Sequence, residues 1–273
     1  NKPRSMLVIF TLAIGVAAVG MIYNTVYMMK RDMFGQYAAR NPAHLALYIS
    51  PFPEKLAQDV EAMREVEEAE ALRSVSAFTY DDKGARKDLN LFASSDFAEA
   101  NINRFVVERG AGAPSLRGIL IERNAAHRLN LRPGDPFIVE MENGKRFTLT
   151  IDGIVHDMTI QPYSITAEVQ GYVAMSTLEW MGEQPYYNQL LLIVADAYRD
   201  AAGVLQVGGQ ARDRTIEPGG YHVGAMQVRG EPNPGDFWAR KQVDGVLLVL
   251  QVMSVLGILL SVGLVVNTIS AVL

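Results

Sequence analysis

The sequence contains no cysteine and only four histidines in 273 residues. Without cysteine there are neither disulfides nor thiolate metal ligands, a composition that suits envelope and cytosolic proteins alike. No GxSxG, HExxH or Walker-type sequence occurs. No catalytic, cofactor-binding or metal-ligating residue is therefore predicted. The histidines also lack the short spacing of metal ligands; they are His44, His127, His156 and His222.

An excess of positive charge is missing as well. The chain has 25 Lys and Arg against 30 Asp and Glu, a formal net charge of -5, and no clustered basic face. Binding to nucleic acid depends on neutralising phosphates with Lys and Arg, so no nucleic-acid partner is expected. Because 49% of the residues are apolar and 20% are charged, the chain is expected to fold rather than to be disordered.

Charged residues are absent from two long runs near the chain ends. The first, residues 5–29, is SMLVIFTLAIGVAAVGMIYNTVYMM. About 25 helical residues exceed a bilayer core of about 30 Å, which predicts a transmembrane helix. A signal peptide is the alternative, since Lys2 and Arg4 precede the run, but its apolar core would be only about 7–15 residues long. The second run, residues 245–273, predicts another membrane helix; since it reaches the last residue, we expect the sequence to be a fragment.

The polar middle of the chain alternates like a half-buried strand. In VEEAEALRSVSAFTYDD (residues 66–82), Leu72, Ser74 and Ser76 share one face, while Arg73 and Val75 share the other. Further strands and short helices follow, with ENGK as a hairpin turn. The interleaving predicts an α+β domain, in one lobe or two. We expect a first membrane helix with an outer extension at 1–38, the domain at 39–232, and a stalk with the second membrane helix at 233–273.

Three segments of the middle region have competing interpretations. His156-Asp157 follows a strand and could be an acid–base pair, although no nucleophile or third partner accompanies it. The acidic run at 65–70 could attract cations, but a solvated face is the favoured interpretation. RGAGAPSLRG at 109–118 lacks the lysine and helix of a phosphate-binding loop, which favours a flexible loop.

Several segments together resemble the FtsX/MacB-like ABC transporter permease family. NKPRSMLVIFTLAIGV at the start and GILLSVGLVVNTISAVL at the end are similar to that family's first and second membrane helices. GILIERNAAHRLNLRPGDPFIVEMENGKRFTLTIDGIVHD is similar to its extracytoplasmic domain, in which a strand, a short helix, a GD turn and a strand pair recur. Each motif is loose, and their joint order carries the resemblance.

The resemblance implies a permease subunit in a bacterial inner membrane, with its domain outside the cytoplasm. It implies an ATP-binding partner, a second permease copy or homologous half, and ATP bound by the partner rather than by this chain. The coupling segment and further membrane helices of such subunits are not in this sequence. Charge does not decide the orientation, because Lys and Arg flank both ends of the first helix. A two-helix sensor with an outer ligand-binding domain is the alternative function.

Polar residues within the apolar runs are candidates for helix-to-helix contacts. Ser and Thr also bond back to their own helix, and Asn24 could instead lie at headgroup level. A stalk is predicted to begin at residues 234–237 and to project about two turns above the membrane, with Trp238 at the interface or packed on the domain. The contact candidates are Asn24, Thr25, Asn267, Thr268 and Ser270, and the stalk residues are Trp238, Arg240 and Lys241.

Overall fold

The computed structural model describes residues 2–230 and 232–270. The chain divides into two compact units, one holding the two long terminal helices and the other comprising Tyr37–Trp238. The α-helices are α1 (Lys2–Met29), α2 (Gly35–Ala38), α3 (Lys55–Glu61), α4 (Arg123–Arg128), α5 (Tyr163–Thr166), α6 (Met175–Trp180), α7 (Ala201–Ala211) and α8 (Arg240–Ser270). Two π-helical segments (Lys30–Phe34 and Arg212–Ile216) and a 3-10 turn (Asp196–Tyr198) complete the helical elements of the described part.

The second unit is built on a ten-stranded mixed sheet. The strands are β1 (Leu45–Phe52), β2 (Val66–Tyr80), β3 (Arg86–Ser94), β4 (Val106–Gly110), β5 (Gly118–Glu122), β6 (Pro136–Met141), β7 (Arg146–His156), β8 (Val169–Ala174), β9 (Tyr187–Val194) and β10 (Val223–Val228). Their order is β10-β1-β9-β2-β3-β8-β5-β7-β4, and β6 pairs with both β2 and β7. The fold of this unit is therefore α+β, as the alternation of patterns predicts.

The long strand β2 joins two lobes of this sheet. Its first half pairs with β9, and its second half pairs with β3 and β6. Near the start of β9, Asn188 continues the pairing with its side chain: Oδ1 accepts from the Ser74 amide at 2.8 Å and Nδ2 donates to the Ser74 carbonyl at 2.9 Å. The stretch that alternates most clearly in the sequence is thus the strand shared by both lobes.

The second lobe is a closed ring of six hydrogen-bonded strands. The ring runs β2-β3-β8-β5-β7-β6 and returns to β2, with parallel pairs at β3–β8 and β5–β7. Closure removes free edges from these strands and lets alternate side chains fill the interior. Leu91, Ile121 and Val139 are among the fully buried residues there. The same apolar cluster continues between the first lobe and α7, so one core serves both lobes.

The first unit is a pair of long apolar helices. A Cβ added to Gly15 of α1 would lie 2.5 Å from Ser261 Oγ of α8, so a larger residue at position 15 would require the Ser261 side chain to move. Elsewhere on the two helices, Val26 of α1 and Leu247 of α8 are buried. Within the described residues, one segment, Arg240–Gly263, is long and apolar enough to cross a membrane by length and composition. Residues 1 and 271–273, which belong to the predicted membrane segments, lie outside the described part.

The predicted start of the second helix is wrong by several residues. Helix α8 begins at Arg240, not at residues 234–237. Gly235 has φ +76°, outside the helical region, and Asp236 Oδ2 accepts hydrogen bonds from the Asn233 amide and side chain. This local turn replaces the first helical turn. Trp238 lies before α8, and its ring centroid is 5.1 Å from that of Phe237. Arg240 and Lys241 are the first two residues of α8.

Candidate functional site: a cleft on one face of the sheet

A cleft of about 830 Å³ opens in the second unit, on the sheet face opposite the main core. Its floor is made of alternate residues on successive strands, because side chains i and i+2 of a strand share a face. The intervening residues of the same strands fill the core. The main floor positions are Tyr48 on β1, Gln189 and Leu191 on β9, Glu70 and Leu72 on β2, Asn90, Phe92 and Ser94 on β3, Gln170 and Tyr172 on β8, and Gln227 on β10.

An aromatic cluster forms one wall of the cleft. Phe92 stacks on Tyr172 with ring centroids 5.7 Å apart, and Phe97 and Phe105 lie against the same tyrosine at 5.7 and 5.1 Å. Leu120 and Val155, on the outer side of the ring of strands, lie beneath these rings. The wall is therefore apolar and concave, and suits an apolar group of a ligand.

Residues 95–105 cross one side of the cleft and are tied down by polar contacts. Glu70 Oε1 accepts from the amides of Asn101 and Ile102. Asn103 Oδ1 accepts from the Ala43 amide at 2.9 Å, and Asn41 Nδ2 donates to the Asn101 carbonyl at 3.1 Å. Burial raises the pKa of Glu70, which these backbone hydrogen bonds partly offset. The last glutamate of the acidic run is thus an anchor for this segment and not part of a solvated face.

Asp157 and Tyr172 form a buried polar pair on the cleft wall. The Tyr172 hydroxyl donates to Asp157 Oδ2 at 2.6 Å, while the amide and hydroxyl of Thr159 donate to Oδ1 at 2.7 and 2.6 Å. Burial raises the pKa of the Asp157 carboxyl and places that of Tyr172 well above its usual value. Burial also raises the pKa of Tyr37, on the same cleft, to about 12.

His156 and Asp157 contact different groups. His156 Nδ1 lies 3.8 Å from Glu122 Oε1, beyond hydrogen-bond distance, and has no hydrogen-bond partner among the described residues. Glu122 is 2% exposed and caps α4 by accepting from the Asn124 amide at 2.6 Å. These contacts stabilise the fold without assembling a nucleophile and base. Over residues 2–230 and 232–270, no group of three or more His, Cys, Asp or Glu is placed to hold a metal ion.

Two polar atoms of the cleft lack protein partners within the described chain. Gln170 is 6% exposed, and its Oε1 has no hydrogen bond. Its Nε2 donates to Glu168 Oε2 at 2.9 Å, and because a carboxylate accepts, the amide oxygen is the atom left over. Nε of Arg229 is also buried without a partner. Two residues that line the cleft therefore each hold a buried polar atom without a partner, an acceptor on Gln170 and a cationic donor on Arg229, and such groups in a folded protein call for an explanation.

The predicted helix-contact residues are placed on α1 and α8. Asn24, Asn267 and Ser270 are exposed, and the Thr268 side chain lies outside the described part. Thr25 Oγ1 donates to the Met21 carbonyl of its own helix at 2.8 Å. Contacts with further helices remain a prediction for the exposed three. The close approach at Gly15 and Ser261 was missed, since the sequence does not show which small residues on the two helices meet.

The first predicted stalk residue on α8 has partners within its own unit. The guanidinium of Arg240 lies 4.9 Å from the Phe34 ring centroid, and its Nε lies 3.8 Å from Asp244 Oδ2. Lys30 Nζ lies 3.7 Å from Asp244 Oδ1, and this pair joins the ends of the two long helices. All these charged groups are partly exposed, so their ion pairs contribute little to stability.

Comparison with known proteins assigns the family. The model of the MacB-like periplasmic core domain matches residues 5–207. The extracellular domain of the ABC-type transporter YknZ from Gram-positive bacteria is 14% identical, covers 68% of this chain and 100% of its own, and has a TM-score of 0.44. The periplasmic region of MacB from Actinobacillus actinomycetemcomitans is 9% identical, covers 67% of this chain and 87% of its own, and has a TM-score of 0.41. No curated protein sequence matches.

The family assignment depends on the domain match, which covers most of the chain, and not on the two structural likenesses. This chain belongs to the family of MacB-like periplasmic core domains and is an FtsX/MacB-like ABC transporter permease. The predicted resemblance is confirmed. Membership implies a membrane protein with an extracytoplasmic domain and an ATP-binding partner.

Proposed function

We propose that this chain is the part of a permease subunit that converts ATP hydrolysis by a partner into movement of an extracytoplasmic domain. The observation that carries the proposal is the domain match over residues 5–207, on a chain whose domain lies between two long apolar helices. In this proposal α1 and α8 both span a bacterial inner membrane, and Tyr37–Trp238 lies outside the cytoplasm. ATP binds to the partner, and a second permease copy or homologous half completes the transporter.

The helices suit this role because an α-helix is a stiff rod that can transmit a displacement along its axis. The close approach at Gly15 and Ser261 lets the two rods move together. On the domain, the residues where the chain enters and leaves are joined, since the rings of Tyr37 and Phe237 meet edge to face at 5.2 Å. Both ends of the domain are thus tied to each other. The family match over residues 5–207 is what favours the permease over the alternative of a two-helix sensor.

Orientation is tested by labelling single cysteines. Ser95 and Lys145 are exposed on the domain, and the chain has no cysteine of its own. Ser95→Cys and Lys145→Cys should react with an impermeant maleimide in intact spheroplasts of a bacterium expressing the protein. A cysteine at Arg4 should react only after lysis. The reverse pattern would place the domain in the cytoplasm and refute the proposal.

Coupling is tested by changing the stiffness of α8. A flexible Gly/Ser segment of seven residues inserted between Gln242 and Asp244 should leave ATP hydrolysis by the assembled transporter intact but abolish the transport-dependent phenotype. A helical insertion of seven residues is the matched control, since it adds two turns and nearly preserves the face of the helix. It should retain more of the phenotype than the flexible one. Normal function with the flexible insertion would show that α8 does not act as a rod.

A further inference from the structure

We propose that the cleft binds a short apolar peptide, or a compound with peptide-like amide groups, through Gln170 and Arg229. The two unpaired atoms have opposite hydrogen-bonding character. Gln170 Oε1 needs a donor and Arg229 Nε needs an acceptor. A ligand that satisfies both must donate and accept hydrogen bonds. A hydrocarbon does neither, and an ionised fatty acid only accepts.

The rest of the floor has the same dual character. Asn90, Gln189 and Gln227 add side-chain amides from three other strands. A primary amide has a donor and an acceptor in one group, which matches the N–H and C=O of a peptide bond. Tyr48 and Gln227 are already joined at 3.0 Å, as are Ser74 and Asn90 at 2.8 Å, so this polar row is partly held in position before any ligand arrives.

The charged side chains of the cleft limit the class of ligand further. Three carboxylates line the cleft, but each accepts hydrogen bonds from the protein: Glu70 from the 95–105 segment, Asp157 from Thr159 and Tyr172, and Glu168 from Gln170. Each carboxylate is thus partly satisfied by the protein, which lowers what a cationic ligand would gain from it. Arg229 keeps an unpaired donor on a positive group, which favours a carbonyl or a terminal carboxylate. The aromatic wall of Phe92, Phe97, Phe105 and Tyr172 takes apolar side chains.

Size agrees with this ligand class. A volume of about 830 Å³ is within the range of about 300–1,000 Å³ of known ligand pockets. Every residue that lines the cleft belongs to Tyr37–Trp238, so the site is complete within one unit of this chain. Its role as a transport site rests on the proposed function, whereas binding itself does not.

The binding test uses fluorescence from the cleft. The chain has two tryptophans, and Trp238 lines the cleft while Trp180 packs on Phe147. In a Trp180→Phe background, the purified full chain in lipid nanodiscs is titrated with N-acetyl-Leu-Phe-Leu, and empty nanodiscs correct for partition into lipid. The Trp238 emission should change saturably. Gln170→Leu, which keeps the size but removes the acceptor, and Arg229→Met should each weaken binding about tenfold.

The matched control is Gln210→Leu. Gln210 Oε1 is also buried without a hydrogen bond within the described chain, but it lies on α7 and not in the cleft. This variant should bind the peptide as the parent does. The proposal is overturned by no saturable signal, by equal weakening in all three variants, or by binding of dodecanoate or dodecyl maltoside in place of the peptide. No ATPase is present, so failure here leaves the relay proposal standing, and failure of the relay leaves binding unaffected.

Discussion

The two faces of strands β3 and β8 have opposite chemistry, although the residues that form them alternate along the same strands. On the core face, Leu89, Leu91 and Val173 are buried among apolar side chains. On the cleft face, Asn90 and Gln170 lie opposite each other across the parallel pair, and the rings of Phe92 and Tyr172 stack. The same strand thus contributes to stability on its core face and to the candidate binding site on its cleft face. The core face stabilises the ring of strands, which leaves the other face available for polar groups that stability does not require.

The sharpest test of this separation compares two adjacent residues of β3. Leu91→Ala should lower the free energy of unfolding by about 2–5 kcal/mol, because the side chain is fully buried and leaves a cavity. Asn90→Ala removes one hydrogen bond, from Ser74 Oγ, and should cost about 0.5–1.5 kcal/mol. Urea unfolding of the purified chain, followed by tryptophan fluorescence, measures both. Equal losses would show that the cleft face is also a stability element.

A smaller effect, and one that depends on pH, is expected from Asp157 on the cleft wall. Burial raises the pKa of this carboxyl in the folded state above its ordinary value of 3.8. The folded protein therefore holds the proton more tightly, and the resulting stability is complete below pH 3.8 and is lost as pH rises through the raised pKa. The free energy of unfolding of Asp157→Asn should change less over that window than that of the parent.

The control for the pH series is Glu99→Gln, because Glu99 is exposed in the 95–105 segment. It should follow the parent curve. A parent whose stability rises across the same window, with Asp157→Asn flat, would mean that the buried carboxylate is stabilised by Tyr172 and Thr159 more than it is penalised by burial.

Loss of the helix cap beneath the first lobe should have an effect of about 1 kcal/mol. Asp200 Oδ1 accepts from the Gly203 amide at 2.6 Å at the start of α7, and Gly208 of that helix packs on Leu45. Asp200→Ala should lower the thermal unfolding temperature, while Asp200→Ser keeps an acceptor and should recover most of the loss. If both variants lose the same amount, the cap is not the source of the effect.

The smallest effect is expected at an exposed ion pair on the outer side of the ring of strands. Arg123 Nη1 lies 2.7 Å from Glu108 Oε1, and the two side chains are 42% and 37% exposed. Solvent and salt screen such pairs, so Glu108→Gln should change the free energy of unfolding by less than about 1 kcal/mol. A larger loss that persists in 1 M salt would show that β4 is held by this pair and not by its backbone bonds to β7.

Local features of the fold were predictable. The ENGK turn forms between β6 and β7 with Gly144 at φ +79°, and Asn143 Oδ1 accepts from the Lys145 amide. The alternation in β2 also agrees with its burial, since Ala77 and Thr79 are buried while Ser76 is exposed. These features depend on residues close in sequence, whose conformational preferences act before any tertiary contact forms.

Features that depend on distant segments were not predictable. Strand β4 has five exposed residues and no alternation of burial, and it exists because β7 supplies its backbone partners. Helix α8 begins later than predicted because of the turn at Gly235. Glu70 anchors the 95–105 segment through a hydrogen bond from the Ile102 amide, about 30 residues away in sequence. The acidic run at 65–70 does not by itself indicate this contact.

The sequence by itself determined the two apolar helices, the α+β class of the middle region and the family. Each depends on the order of residues along the chain: on long hydrophobic runs, on period-two alternation and on the order of the motifs. Tertiary structure decided which strands pair, that six of them close into a ring, and which two polar atoms remain unpaired in the cleft. Strand pairing joins residues far apart in sequence. A polar atom can be recognised as unpaired only when the positions of all its neighbours are known. The residues of the candidate binding site can therefore be named only when the two faces of each strand have been assigned.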